Sequence, residues 1–226
     1  MVYKVVTDGK QLRNTKTVRL HLLLCLGLFG CAAPNIEIGS DFPVPNVRKV
    51  PVNLGIHLSS QLTNYTYSQK MSKKGEWKIT LGPAQRSMFA ILGNNVFDES
   101  SFVQNPAIDD SIDGFIAPTI AELQFSIPKQ TRTDYFEVWI RYEFKLYDKN
   151  SNLLGEWDLP AYGKANSQNY SSDSLALQAA AISACRDAMA FFSLNFGRVP
   201  LIKNWIEAGK PFRERAPATT PDGVKT

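Results

Sequence analysis

The segment YFEVWIRYEFKLY, residues 135–147, decides the fold. Its apolar side chains recur at every second position, which is the period of a β-strand with one buried face. The other side of the strand carries only aromatic and charged residues and includes Trp139, Arg141 and Glu143. Such a two-sided pattern is typical of an antiparallel sheet that has one face against a core and the other open to water or to a partner. The six inward positions are Phe136, Val138, Ile140, Tyr142, Phe144 and Leu146.

Similar alternation on either side of this segment predicts neighbouring strands. Residues 121–127 place Ala121, Leu123, Phe125 and Ile127 on one side until Pro128 ends the pattern. After the turn cluster at residues 148–152, apolar positions alternate again from residue 153 to residue 159. Short connections between strands favour antiparallel neighbours, so these three segments predict a three-stranded meander.

The remaining elements complete an α+β pattern. Residues 50–60 predict a first strand, and residues 62–67 and 76–81 predict a hairpin joined through Lys70-Met71-Ser72-Lys73-Lys74-Gly75. Gly82-Pro83 opens a helix that runs to about residue 94, and residues 98–113 predict a polar connection. We therefore expect a two-layer sandwich, with a mostly antiparallel sheet and two main helices on one face. The second helix is predicted from Ser174 to about Phe196, with Leu175, Ile182, Cys185, Met189 and Phe192 inward, and a short amphipathic helix is predicted at residues 201–208.

The first 30 residues have the order of a secretory signal peptide. Five basic residues between Lys4 and Arg19 precede an apolar run from Leu20 to Gly30. That run of eleven residues is shorter than the roughly 20 apolar residues that a membrane-spanning helix requires. We therefore predict that residues 1–30 are a cleaved signal peptide.

The end of this segment, Leu28-Phe29-Gly30-Cys31, resembles the lipobox of bacterial lipoproteins. The resemblance implies that Cys31 becomes the first residue of the mature protein and carries three acyl chains, which together give a stable membrane anchor. Ala32 occupies the position where an aspartate retains such lipoproteins at the inner membrane in enteric-type bacteria. The resemblance thus implies an outer-membrane anchor on the periplasmic side. The alternative is an apolar core segment with a buried cysteine.

The charge balance argues against nucleic-acid binding. The chain has 25 basic and 21 acidic residues, and removal of residues 1–30 leaves 20 of each. A nucleic-acid-binding surface needs an excess of basic side chains, so we expect no nucleic-acid partner. Composition and turn signals divide the mature chain into an acylated tether at residues 31–49, one domain at residues 50–208 and a flexible tail at residues 209–226.

The sequence contains no recognisable catalytic or metal-binding motif. His57 is the only histidine of the mature chain and alternates with apolar residues on a predicted strand, which indicates a surface position. Asp109, Asp110 and Asp113 lack the donor spacing of a calcium loop, so a solvated loop is expected there. Cys185 lies in an alanine-rich helix, where a buried thiol is favoured over a reactive one. We expect no enzyme activity, no metal and no cofactor.

Two hypotheses about function follow, and both are non-catalytic. The combination of lipobox, tether and small α+β domain resembles accessory lipoproteins of the YajG-like or ABC-transport auxiliary type, which implies a scaffolding or assembly subunit of a cell-envelope complex. Trp139, Arg141 and Glu143 are the candidate contact residues for an envelope protein partner. The alternative for Trp139 is that a second layer or a loop of the same chain covers it. The alternative is a binder of lipid or of a small apolar ligand. Its predicted pocket lies between helices and sheet and is lined by Phe89, Leu92, Phe125, Phe144 and Phe192.

Overall fold

Two sheets organise the part of the chain that the computed structural model describes, which is residues 35–71, 75–104 and 111–213, with side chains up to residue 209. The strands are β1 Asn35–Glu37, β2 Val50–Ile56, β3 Thr66–Met71, β4 Gly75–Thr80, β5 Phe97–Phe102, β6 Gly114–Ser126, β7 Tyr135–Asp148 and β8 Leu153–Asn166. The α-helices are α1 Ser60–Thr63, α2 Gly82–Val96, α3 Pro128–Thr131, α4 Asp173–Asn195 and α5 Pro200–Arg213. The mixture of helices and two sheets confirms the α+β class.

The larger sheet has the strand order β5-β2-β6-β7-β8. β6, β7 and β8 pair in antiparallel fashion, as the meander prediction requires. β2 instead pairs in parallel with both β5 and β6. The sheet is therefore mixed, and its antiparallel half contains the segment from which the fold was predicted.

The core lies on the inward face of β7. All six inward side chains of that strand are at most 2% exposed. The ring of Phe144 makes an edge-on contact with Phe89 of α2, at 6.1 Å between ring centroids, and a tilted contact with Phe192 of α4, at 5.4 Å. Both main helices therefore contact the same row of side chains, on one face of the sheet.

Alanines allow α4 to lie unusually close to β8. Gly163 of β8 has no side chain, and a Cβ atom there would overlap the backbone of Ala180 and Ala184. The predicted inward set of α4 was wrong at Leu175, which is 45% exposed, because Leu177 and the small residues of the helix are the ones that face the core. α4 and the turn after it are also long and apolar enough to cross a membrane, but half of that window is buried inside the domain. Its buried alanines are Ala176, Ala180, Ala181, Ala184 and Ala188.

The smaller sheet has the order β1-β4-β3 and covers one end of the core. β3 and β4 form a hairpin as predicted, but its first strand is Thr66–Met71 rather than residues 62–67, because Ser60–Thr63 form α1 and Lys70 and Met71 belong to the strand. Trp77 of β4 stacks against Phe136 of β7 at 6.3 Å. β1 corrects the domain boundary, since Ile36, Ile38 and Phe42 are buried in the core although residues 31–49 were predicted to be a tether. The ordered domain therefore begins at least 15 residues earlier than the predicted position 50.

Three further predictions differ from the structure. The polar connection at residues 98–113 contains β5, whose side chains are mostly exposed because it lies at the sheet edge. Ala121 is exposed rather than inward, because a bulge between Ile120 and Glu122 shifts the alternation of β6. The last helix continues to Arg213 and so includes the first residues of the predicted tail. Residues 214–226 and residues 1–34, with the signal peptide and Cys31, lie outside the described residues.

Candidate functional site

The outer face of the antiparallel half-sheet carries the predicted contact residues. Trp139, Arg141 and Glu143 alternate with the buried positions of β7 and point to the opposite side, as predicted. Trp139 is 40% exposed. The other outer side chains of β7 are half-buried, and near the end of the strand Phe115 of β6, which stacks on Tyr147, is buried. The open part of this face therefore lies around Trp139.

An aromatic pair lies at the centre of this face. Trp139 and Tyr162 are direct cross-strand partners between β7 and β8, and their ring centroids are 5.4 Å apart. The Tyr162 hydroxyl donates a hydrogen bond of 2.8 Å to Glu137 Oε1. Partial burial, followed by this bond to a carboxylate, raises the pKa of Tyr162 to about 12. The phenol is therefore neutral at physiological pH and holds its ring in place beside Trp139.

Charged side chains border the aromatic pair. Arg141 lies between two carboxylates on adjacent strands, with Nε 3.5 Å from Glu122 and Nη1 3.4 Å from Asp158. Glu143 is the next outward residue of β7 after Arg141, and its carboxylate pairs with Lys145 at 3.7 Å. These charged side chains are substantially exposed, so their ion pairs add little to the stability of the fold. The ion pairs do hold the charges in fixed positions on the face. The face is thus an exposed aromatic pair next to an ordered set of charges.

The free edge of β8 is closed to further strand pairing near this face. Asp187 of α4 accepts a 2.9 Å hydrogen bond from the backbone N–H of Tyr162, which therefore points away from β7. N–H groups alternate in direction along a strand, so position 160 also directs its backbone nitrogen to this edge. That residue is Pro160, which has no N–H to donate. Neither position offers a free N–H to an incoming strand.

The side chains that were predicted to line a ligand pocket are packed in the core. Phe89, Leu92, Phe125, Phe144 and Phe192 are at most 4% exposed, because their side chains fill the core. Phe125 is also separated from the others, since its ring neighbours are Tyr67 and Trp77 beneath the smaller sheet. A small cavity of about 70 Å³ lies beside β5 and contacts only Phe89 of this set. That volume holds at most a few water molecules, so the apolar-ligand hypothesis loses its predicted site.

The remaining titratable candidates have structural surroundings. His57 Nδ1 lies 2.9 Å from the carbonyl oxygen of Val103 and is part-buried rather than a plain surface residue. Asp113 accepts a hydrogen bond from the Asn53 backbone, and Asp109 and Asp110 lie outside the described residues. Among the described residues, no group of three His, Cys, Asp or Glu side chains is arranged to hold a metal ion.

A buried polar cluster occupies the core between α2, β7 and α4. The Tyr142 hydroxyl donates a 3.1 Å hydrogen bond to Gln85 Oε1, and both residues are fully buried. Burial raises the pKa of the neighbouring Cys185 thiol to about 12, and it raises the pKa of Tyr142 well above its usual value. A thiol held neutral in this way is a poor nucleophile. Cys185 is therefore a core residue, in agreement with the sequence-based expectation.

Tyr162 is the residue of the face that the sequence analysis did not include among the contacts. The alternation on β8 was followed only to Leu159, although Pro160, Ala161 and Tyr162 continue it. Extending the strand through an edge-compatible proline would have placed Tyr162 on the outward face of β8, opposite to the buried Leu159 and Ala161. The signal was present in the sequence but depended on accepting a proline inside a strand.

Comparisons with known proteins identify no family. No protein-family model matches the sequence, and no curated protein matches it. A DUF330 protein from Xanthomonas campestris is similar in structure, with a TM-score of 0.45 and 11% identity over 81% of this chain and 98% of that one. A "putative neuraminyllactose-binding hemagglutinin homolog" from Helicobacter pylori gives a TM-score of 0.43 and 10% identity over 78% and 100%. A "putative lipoprotein" from Caulobacter crescentus gives 0.31 and 13% over 42% and 68%. Similarity at this level assigns no function.

Proposed function

We propose that this chain is an outer-membrane-anchored periplasmic lipoprotein that acts as a non-catalytic accessory or scaffolding subunit of a cell-envelope complex. The observation that carries the proposal is the uncovered aromatic pair Trp139–Tyr162 on the outer sheet face. The resemblance of Leu28-Phe29-Gly30-Cys31 to a lipobox supports the anchor.

The composition of the face suits recognition of a protein. Tryptophan, tyrosine and arginine are the residue types that contribute most often to the energy of protein interfaces. Trp139 and Tyr162 offer rigid apolar area, while Arg141 and its two carboxylate partners supply charges in fixed positions. The core does not require an aromatic residue at an outward position of β7, so stability alone does not account for Trp139.

Capture from intact cells tests the proposal. The full-length chain with a C-terminal tag is crosslinked in cells, and its partners are identified after affinity purification. One stoichiometric envelope protein is expected with the wild type, and Trp139→Ala should reduce its recovery strongly. Tyr170→Ala is the matched control, because Tyr170 is 39% exposed but lies after β8, away from this face. Equal recovery with Trp139→Ala and wild type would contradict the proposed contact surface.

The anchor is tested separately. Mass spectrometry of the purified N-terminal peptide should find Cys31 as the first residue with its acyl chains attached. Cys31→Ser should leave the protein unacylated and recovered with soluble material after fractionation. An unmodified Cys31 within an uncleaved chain would reject the lipoprotein assignment without affecting the conclusions about the sheet face.

A further inference from the structure

The distance between the proposed anchor and the first strand is short. Only Ala32, Ala33 and Pro34 separate Cys31 from Asn35, where β1 begins. Four residue steps of fully extended chain span at most about 14 Å at ~3.3–3.6 Å per residue. A lipid attached to Cys31 would therefore hold the beginning of β1 close to the membrane surface, since no longer tether exists to separate them.

The beginning of β1 lies near one end of the domain. Asn35 pairs with Lys78 of β4. The last residue pair of the β3–β4 ladder, Met71 with Gly75, lies three residues before Lys78 and closes the ladder. Gln130 of α3 lies beside this closed end, with Nε2 3.5 Å from Met71 Sδ. We call this region, formed by β1, the closed end of the β3–β4 ladder and α3, the hairpin end.

Exposed cations surround the hairpin end. Lys70 and Lys78 are exposed on the outer face of the hairpin, and Lys129 and Arg132 are exposed on and just after α3. Glu76 stands opposite Lys70, and the exposed carboxylates of Glu37 in β1 and Asp134 after α3 offset a further part of this charge. Long lysine and arginine side chains can reach phosphate groups while their stems stay over the protein surface.

The opposite end of the domain is far from the anchor. β7 runs from Tyr135, beside the hairpin end, to Asp148, and its 13 residue steps span about 43 Å at ~3.3 Å per residue. Asn150, in the turn after β7, is exposed at that distant end. A chain of about 14 Å is much shorter than this distance, so the proposed anchor on Cys31 lies next to the hairpin end and cannot lie next to the distant end.

We propose that the hairpin end docks on the phospholipid headgroups of the membrane in which Cys31 is anchored, so that the outer sheet face stands beside the membrane rather than on it. This inference rests on the proposed lipid anchor. Two features favour a lipid membrane as the partner of this region. The proposed acyl anchor on Cys31 is next to the hairpin end in the chain, and the four exposed cations of that end complement headgroup phosphates. Trp139 and Tyr162 then remain accessible to a partner in the space next to the membrane.

Site-specific fluorescence measures the orientation. Cys185 is fully buried and the raised pKa of its thiol keeps it unreactive, while acylation blocks Cys31, so an introduced cysteine is the single labelling site. Lys129→Cys and Asn150→Cys are labelled in the acylated full chain and reconstituted into vesicles of phosphatidylethanolamine and phosphatidylglycerol. Some of the lipids carry a nitroxide quencher on the headgroup. Quenching at position 129 should be several-fold stronger than at position 150.

A variant with a lengthened tether provides a second test of the docking proposal. Insertion of a flexible ten-residue Gly/Ser segment between Ala33 and Pro34, combined with Lys70→Glu and Lys78→Glu, should remove the difference between the two positions. Equal quenching at both positions with the native tether, in protein whose acylation is verified, would overturn the docking proposal while the anchor stands. If mass spectrometry finds no acyl group, the proposed function fails at the anchor, and docking fails with it.

Discussion

The two faces of β7 are built from the same strand but under opposite constraints. Its inner side chains are at most 2% exposed and touch both main helices, whereas Trp139 on the outer face is 40% exposed. The interior fixes the inner residues by volume and shape, since a packed core tolerates few changes. The outer residues are free of that requirement. The identities of the outer residues therefore say more about contacts outside the molecule than the identities of the inner residues do.

The largest effect is expected from the inner face. Phe144→Ala should lower the free energy of unfolding by about 3–5 kcal/mol, because it leaves a cavity among Phe89, Trp157 and Phe192. Urea unfolding followed by tryptophan fluorescence measures this loss. Phe144→Leu keeps more of the volume and should lose clearly less. A loss below about 1 kcal/mol for the alanine variant would mean that the two faces are not as different as their burial indicates.

A second test concerns how closely the helix layer approaches the inner face. Gly163→Ala places a methyl group against the backbone of α4 at Ala180 and Ala184, which cannot move without displacing the helix. We expect a loss of about 1–3 kcal/mol in the free energy of unfolding. Gly39→Ala is the matched control, because a Cβ there meets no atom within 4 Å. Equal stability of the two variants in thermal unfolding would contradict the close packing of α4 on β8.

The buried thiol predicts a loss of stability in alkali. The pKa of Cys185 is raised to about 12 in the folded protein, from 9.0 for an unperturbed thiol. The stabilisation is fully present below pH 9 and falls as pH rises towards 12, because only the unfolded chain ionises in that range. Between pH 8 and 10 this amounts to roughly 1 kcal/mol. Unfolding titrations at both pH values should show a shallower decline for Cys185→Ala than for wild type, and parallel declines would contradict it.

The smallest effects are expected on the outer face. Trp139→Ala and Arg141→Ala should each change the free energy of unfolding by about 1 kcal/mol or less, because the first loses one exposed ring pair and the second loses exposed ion pairs. The same urea titrations measure both variants. A loss for Trp139→Ala comparable to that of Phe144→Ala would show that the tryptophan serves the fold, and the contrast between the faces would fail.

The sequence predicted the elements whose pattern repeats often enough to be recognised. β7 offers six inward positions in register, and α2 begins at Gly82-Pro83, which marks a helix start clearly. β1 has three residues and lies among prolines, so no period could be seen. β5 consists largely of exposed polar residues because it is an edge strand, and its sequence therefore looks like a loop.

The candidate site was predictable in part for the same reason. Trp139, Arg141 and Glu143 follow from the phase of β7 alone, because alternation sends them to the face opposite Val138 and Ile140. Their neighbours depend on register with other strands. The stacking of Tyr162 on Trp139 and the position of Arg141 between Glu122 and Asp158 required the pairing of β6 and β8. Single-strand patterns do not contain that information.

The blocked edge of β8 has a consequence for how this protein can assemble. An open sheet edge invites strand addition, which joins chains through their backbones with little regard for sequence and can continue into aggregates. Pro160 and the Asp187 carboxylate remove two successive backbone donors from that edge. Association next to Trp139 must then proceed through side chains, which discriminate between partners. The edge of β8 is thereby protected against indiscriminate strand addition at the place where the proposed recognition surface reaches it.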